Sequence, residues 1–203
     1  MKTYEDRQQA SEAAAIIIAH SLAEALRKKS NAWLTVSGGS TPAITFDSLS
    51  TFKLNWNEVD VTLTDERAVP NDHQESNERM VREHLLINSA NAAHFHPLEK
   101  SDLPITPFTT TLIGMGEDGH FASLFPDSPQ LAEGLTSKEN LIQVETPSSP
   151  FARTSMTLTR IIKSDLIVLL IFGDKKRQVI EAPDDFVINH LLKQTDPQII
   201  WAP

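Results

Sequence analysis

The chain has 203 residues, 40% apolar and 22% charged, a composition expected of one globular domain rather than a disordered segment. It contains no cysteine, which excludes a disulfide framework, a cysteine nucleophile, an iron–sulfur cluster and thiolate zinc sites. With 18 Lys and Arg against 27 Asp and Glu, the net charge is −9, so neither nucleic acid nor an anionic membrane is an expected partner.

Met1–Asp6 has no basic stretch followed by an apolar core, and this reads as a cytoplasmic protein. The longest apolar runs, Ala13–Ala19 and Leu166–Phe172, are seven residues each, against the ~20 that a membrane span requires. Ala14, Ile18, Leu22 and Ala25/Leu26 share one stripe at helical spacing, which predicts a helix over Tyr4–Lys29. Trp33–Val36 predicts a strand running into Ser37-Gly38-Gly39. Thr41-Pro42 then reads as an N-cap followed by proline in the first turn of a second helix. Val59–Thr64 alternates apolar and polar residues and predicts another strand. Ser76 is positioned to cap a helix through Ile87, with Met80, Val81, His84 and Leu85 toward the core.

Further strands are predicted at Phe108–Ile113, Leu141–Glu145, Ser155–Leu158 and Leu166–Phe172, and helices at Asp174–Glu181 and Asp184–Lys193. Pro97–Pro107 and Pro147–Pro150 read as loops. Strands separated by helices imply an α/β fold: one Rossmann-like domain over residues 1–203, its mostly parallel sheet carrying helices on both faces.

Only seven glycines occur, about half the ~7% of average usage, and six of them lie in three short loops after predicted strands. Ligands in open parallel sheets bind beyond the carboxyl ends of the strands. Four loops qualify: Ser37–Pro42, Thr64–Pro70, Gly114–Pro126 and Gly173–Lys176. The first offers backbone amides and two hydroxyls at a helix start, a combination suited to a phosphate, although it is not a P-loop. Gly114–Gly119 matches GxGxxG, but Pro126 forbids a long following helix and Glu117 and Asp118 would face a pyrophosphate, so a dinucleotide is not expected.

Asp118-Gly119-His120 instead places a histidine at the crevice beside a carboxylate able to orient it, the side chain best matched to base catalysis near neutrality. His20 and His84 read as structural. His94 and His96 would share a strand face, but no third ligand is evident, and no metal is expected. Asp65, Glu66 and Arg67 end the second predicted strand. Lys175-Lys176-Arg177 puts three cations at a helix N-terminus, against its dipole, which an anionic ligand would explain.

Taken in order, SGGSTP (37–42), TDERAVP (64–70), Ser76-Asn77, GMGEDGHFASLFP (114–126), RTSMTLT (153–159) and GDKK (173–176) resemble the 6-phosphogluconolactonases, which share a fold with the glucosamine-6-phosphate deaminases. The resemblance covers about Ser37–Lys176. Arg67 and the SLFP ending look like the lactonase branch, since deaminases usually carry a tyrosine and an asparagine-glutamate pair there. The strand Phe108-Thr109-Thr110-Thr111 departs from the family's usual Phe-Asp and apolar residues.

The resemblance implies hydrolysis of 6-phospho-D-glucono-1,5-lactone in the oxidative pentose phosphate route, without cofactor, by a monomer or weak homodimer. It implies His120 as base with Asp118, and Arg67 and Asp65 in the catalytic set. Gly38, Gly39, Ser40, Thr41, Asn77, Gly119, Arg153 and Lys176 would hold substrate and its phosphate, with Asp65 holding Arg67 or meeting sugar hydroxyls. The alternatives are a deaminase-type sugar-phosphate isomerase or a non-catalytic sugar-phosphate sensor.

Overall fold

The computed structural model describes residues 1–98, 103–182 and 185–203. The first half runs β1 (Lys2–Thr3), α1 (Arg7–Lys28), β2 (Ala32–Val36), α2 (Ala43–Ser50), β3 (Val59–Leu63), β4 (Asp65–Arg67), α3 (Asn77–His84) and β5 (His94–Phe95). The second runs β6 (Phe108–Ile113), α4 (Leu131–Thr136), β7 (Leu141–Val144), β8 (Arg153–Met156) and α5 (Leu158–Ile161). It continues through β9 (Ser164–Phe172), α6 (Asp174–Glu181), α7 (Ile188–Leu192) and β10 (Gln198–Ala202).

Seven strands form one parallel sheet in the order β1-β10-β9-β6-β2-β3-β5, flanked by helices, as the α/β reading requires. From β2 the chain moves to β3 on one side, while β6 pairs on the other. This reversal makes the carboxyl ends of β2 and β6 a topological switch point, where open sheets place their ligands.

Asp6 caps α1 by accepting from the Gln9 amide at 2.8 Å, and Ala14, Ile18 and Leu22 are fully buried, as their spacing predicts. Ser76 caps α3 in the same way, accepting from the Arg79 amide. His84, expected toward the core, instead lies at its edge with Nδ1 2.9 Å from Asp47.

Every residue of β6 is buried, including three threonines. Each hydroxyl is satisfied: Thr109 accepts from the Trp33 amide, Thr110 donates to Ser21 at 2.8 Å, and Thr111 pairs with Ser164 at 2.8 Å. Threonine therefore replaces apolar residues here without leaving unpaired polar groups in the core.

Four expectations are corrected. Thr64–Pro70 is not only a loop, because Asp65–Arg67 forms β4 in a second, antiparallel sheet ordered β4-β8-β7. The strand expected at 155–158 lies at Arg153–Met156, since Thr157 accepts from the Arg160 amide and caps α5. Helix α2 begins at Ala43 with Pro42 as its cap residue, so Thr41 is not the N-cap. The C-terminal helix is short, Ile188–Leu192; Asp184 and residues 99–102 of the proline-rich stretch lie outside the described residues. Among the described residues, no helix is long and apolar enough to cross a membrane.

The threonine strand yields a stability test. Thr110→Val leaves the Ser21 hydroxyl without its donor and is expected to cost about 1 kcal/mol, whereas Thr110→Val with Ser21→Ala recovers most of the loss. Urea unfolding of the two singles and the double checks this, and purely additive losses would show that the pair contributes nothing.

Candidate active site

Two loops meet at the switch point and are stitched by one hydroxyl. Ser37 Oγ donates to the Leu112 carbonyl at 3.1 Å and accepts from the Gly114 amide at 2.9 Å, tying the end of β2 to the end of β6. Next in the chain, Gly38 lies against Asn77: a Cβ at this position would fall on the Asn77 amide group, so only glycine permits the approach. Ser40 and Thr41 follow. Because α2 is not capped by Thr41, neither hydroxyl is engaged by another described residue.

Beyond β6 the chain closes a tight loop, with Gly116 N–H donating to the His120 carbonyl and Gly119 N–H to the Gly116 carbonyl. No helix follows Gly119 until Leu131, which agrees with setting aside the dinucleotide reading. Asp118 Oδ1 accepts from the His120 amide at 3.2 Å and lies 2.6 Å from His120 Nδ1. Where Nδ1 donates to Asp118, the lone pair of a neutral imidazole lies on Nε2. Gly116 sits beneath this pair, where a Cβ would collide with both side chains. His120 stacks on Phe125 with ring centroids 4.2 Å apart and keeps 27% of its side chain exposed.

The second sheet supplies cations. Arg67 on β4 and Arg153 on β8 are directly opposite in the antiparallel register, a like-charge juxtaposition that is unfavourable in isolation. Asp65, 4% exposed, holds the arrangement: its carboxylate accepts from Ser123 Oγ at 2.5 Å and Thr64 Oγ1 at 3.1 Å, and Arg153 Nη1 lies 3.6 Å away. Burial holds the Arg153 guanidinium below its ordinary range; Asp65 opposes that shift and Arg67 adds to it.

Of the two parts expected of Asp65, holding Arg67 or meeting sugar hydroxyls, its carboxylate does not take the first directly. Arg67 Nη1 donates to Asn77 Oδ1, while Asn77 Nδ2 donates to the Asp65 backbone carbonyl at 2.7 Å. Glu66, given no task by the sequence, accepts from the amides of Arg67, Asn77 and Glu78 and from the Ser76 hydroxyl. It serves the N-terminus of α3, where a carboxylate also favours the helix dipole.

The basic run does not act as a unit. Lys175 pairs with Glu117 at 3.1 Å, and Arg177 pairs with Glu181 and lies over Trp201, so the expectation of three anion-directed cations narrows to Lys176. The Lys176 ammonium makes no hydrogen bond or ion pair to another described residue. Burial pushes its pKa down, with Glu117 acting in the opposite sense. His94 and His96 face different partners, the Asn57 carbonyl and Asp60, and His20 is exposed.

A cleft of about 270 Å³ collects these groups. Of the expected site residues, Gly38, Gly39, Ser40, Thr41, Asp65, Arg67, Asn77, His120, Arg153 and Lys176 line it. Asp118 and Gly119 are not among its lining residues; Asp118 meets His120 through Nδ1 and the backbone amide.

Residues 5–106 and 102–185 match the family model described as glucosamine-6-phosphate isomerases/6-phosphogluconolactonase. The chain belongs to this family. Within the glucosamine-6-phosphate isomerase/6-phosphogluconolactonase family, the 6-phosphogluconolactonase of Caulobacter vibrioides is 35% identical over 224 residues, covering 100% of this chain and 97% of its own. That of Mesorhizobium japonicum is 38% identical over 223 residues, covering 98% and 94%. A crystal structure of a 6-phosphogluconolactonase from Shewanella baltica matches with a TM-score of 0.95 at 33% identity, over 100% of this chain and 97% of that one.

The unpartnered Lys176 has a measurable consequence. Lys176→Met keeps the apolar stem and removes a half-buried charge, so the ligand-free protein is expected to gain about 0.5–1 kcal/mol. Thermal unfolding reads the change, and an unchanged or lowered Tm would mean that the ammonium carries no cost in the free protein.

Proposed function

We propose that the chain hydrolyses 6-phospho-D-glucono-1,5-lactone to 6-phospho-D-gluconate, with His120 as general base. The observation that carries the reading is that His120, its Nδ1 held by Asp118, lines the same cleft as Arg67, Arg153 and Lys176. Family membership supports the substrate class, as do full-length relatives described as 6-phosphogluconolactonases.

In this reading His120 Nε2 takes a proton from water as its oxygen attacks the lactone carbonyl carbon, and Asp118 stabilises the imidazolium that forms. The carbonyl π electrons move to oxygen, giving a tetrahedral oxyanion for which Arg67, oriented by Asn77, supplies positive charge. Collapse breaks the bond from C1 to the ring oxygen, and the imidazolium returns its proton to that oxygen. The phosphate occupies Gly39, Ser40 and Thr41, with Lys176 and Arg153 as cations. Asp65 takes a positioning part, since its carboxylate is spent on Ser123, Thr64 and Arg153. The hydrolysis needs no metal or cofactor, because an activated δ-lactone is attacked by water without either.

Freshly generated lactone, assayed with spontaneous hydrolysis subtracted, tests the reading against glucosamine 6-phosphate as the competing substrate. His120→Ala is expected to lower kcat by about 10²-fold or more while 6-phosphogluconate binding stays near that of the unaltered enzyme. Near-normal turnover of that variant would remove His120 as the base, and turnover of glucosamine 6-phosphate alone would replace the reaction.

A further inference from the structure

The aromatic ring of Phe125 touches two groups that the proposed reaction uses separately. Its centroid lies 4.2 Å from that of the His120 imidazole at an interplanar angle of 31°. The Arg153 guanidinium carbon lies 5.1 Å from the same ring centroid. Phe125 is 5% exposed and sits on a pinned turn. Its neighbour Leu124 donates to the Phe121 carbonyl, and Ser123 is held from both sides, its amide by Ser155 Oγ and its hydroxyl by Asp65.

One hydrogen bond does not fix an imidazole. The contact from Nδ1 to Asp118 sets the direction of one ring edge, but the ring plane can still tilt about that contact, and Nε2 moves with it. A rigid flat surface against the ring removes that freedom. Aromatic faces also hold guanidinium and imidazolium groups favourably, so the same surface keeps Arg153 in place and receives His120 after it gains its proton.

We infer that Phe125 is a positioning residue that sets the base His120 and the cation Arg153 in register across one aromatic ring. The inference rests on the reading of His120 as the base. A displacement of about 1 Å at a reacting group costs on the order of 10²-fold in rate, so losing the plate should be felt in turnover even though Phe125 does not line the cleft.

A double-mutant cycle tests it. Phe125→Leu keeps apolar volume but removes the flat face, and is expected to lower kcat at least tenfold and raise KM for the lactone several-fold. Phe125→Tyr keeps the face and should stay within about threefold on both. In a His120→Ala background Phe125→Leu should lower kcat little further, and in an Arg153→Ala background it should raise KM little further.

Equal losses with and without His120 and Arg153 would mean that Phe125 is only a packing residue, and would overturn the inference while leaving the base in place. So would a Tyr variant as impaired as the Leu variant. His120→Ala with normal turnover would instead overturn the base assignment, and the inference with it. If Phe125→Leu does not fold, Phe125→Met serves in the same cycle.

Discussion

The site depends on one buried carboxylate. Asp65 lies where the central sheet hands the chain over to the small antiparallel sheet, and its side chain binds Ser123 from the turn after the Asp118–His120 loop and Arg153 from β8. Its backbone carbonyl receives Asn77, which in turn holds Arg67. Both guanidiniums of the cleft are therefore referred to this residue, one through its side chain and one through its main chain. Without it, Arg67 and Arg153 would face one another across the strand pair with only the weaker influence of Glu75 and Glu66 against their repulsion.

This arrangement explains how a chain of net charge −9 builds a cationic cleft. Arg67 at the end of β4, Arg153 at the start of β8 and Lys176 in the first turn of α6 come from three separate stretches and line one cleft. Lys176 and Arg153 are both disfavoured as cations by burial, and Lys176 makes no hydrogen bond or ion pair with another described residue. The free protein thus holds positive charge at a cost, and a doubly charged phosphate, as in the proposed substrate, offsets that cost on binding.

Much of this was legible in the residues alone, for physical reasons. Ala14, Ile18 and Leu22 face the core because an amphipathic stripe has one way to be buried, and the loops cluster because parallel strands end on one edge. Asp118 and His120 are close in sequence, so their pairing was readable locally. The second sheet was not: Asp65–Arg67 is three charged residues with no apolar alternation, and it becomes a strand only because β8 arrives from far along the chain. The same holds for side-chain partners. The charge pattern alone does not separate Lys176 from Lys175, which only the family resemblance singled out, nor assign Glu66 to the start of α3; the fold decides which charges meet. Phe125 is silent for that reason as well, since its stacking on His120 and Arg153 is a property of the turn that presents it.

The most direct measurement of the part given to Asp65 is an isosteric one. Asp65→Asn keeps the shape and removes the charge, leaving Arg153 buried without its counter-ion, a change that typically costs about 3 kcal/mol or more. Denaturant unfolding together with steady-state kinetics on the lactone should show a loss of that order and a KM raised at least tenfold. A variant within about threefold of the unaltered KM and within about 0.5 kcal/mol of its stability would contradict the account, because the two guanidiniums would then keep their places without the carboxylate.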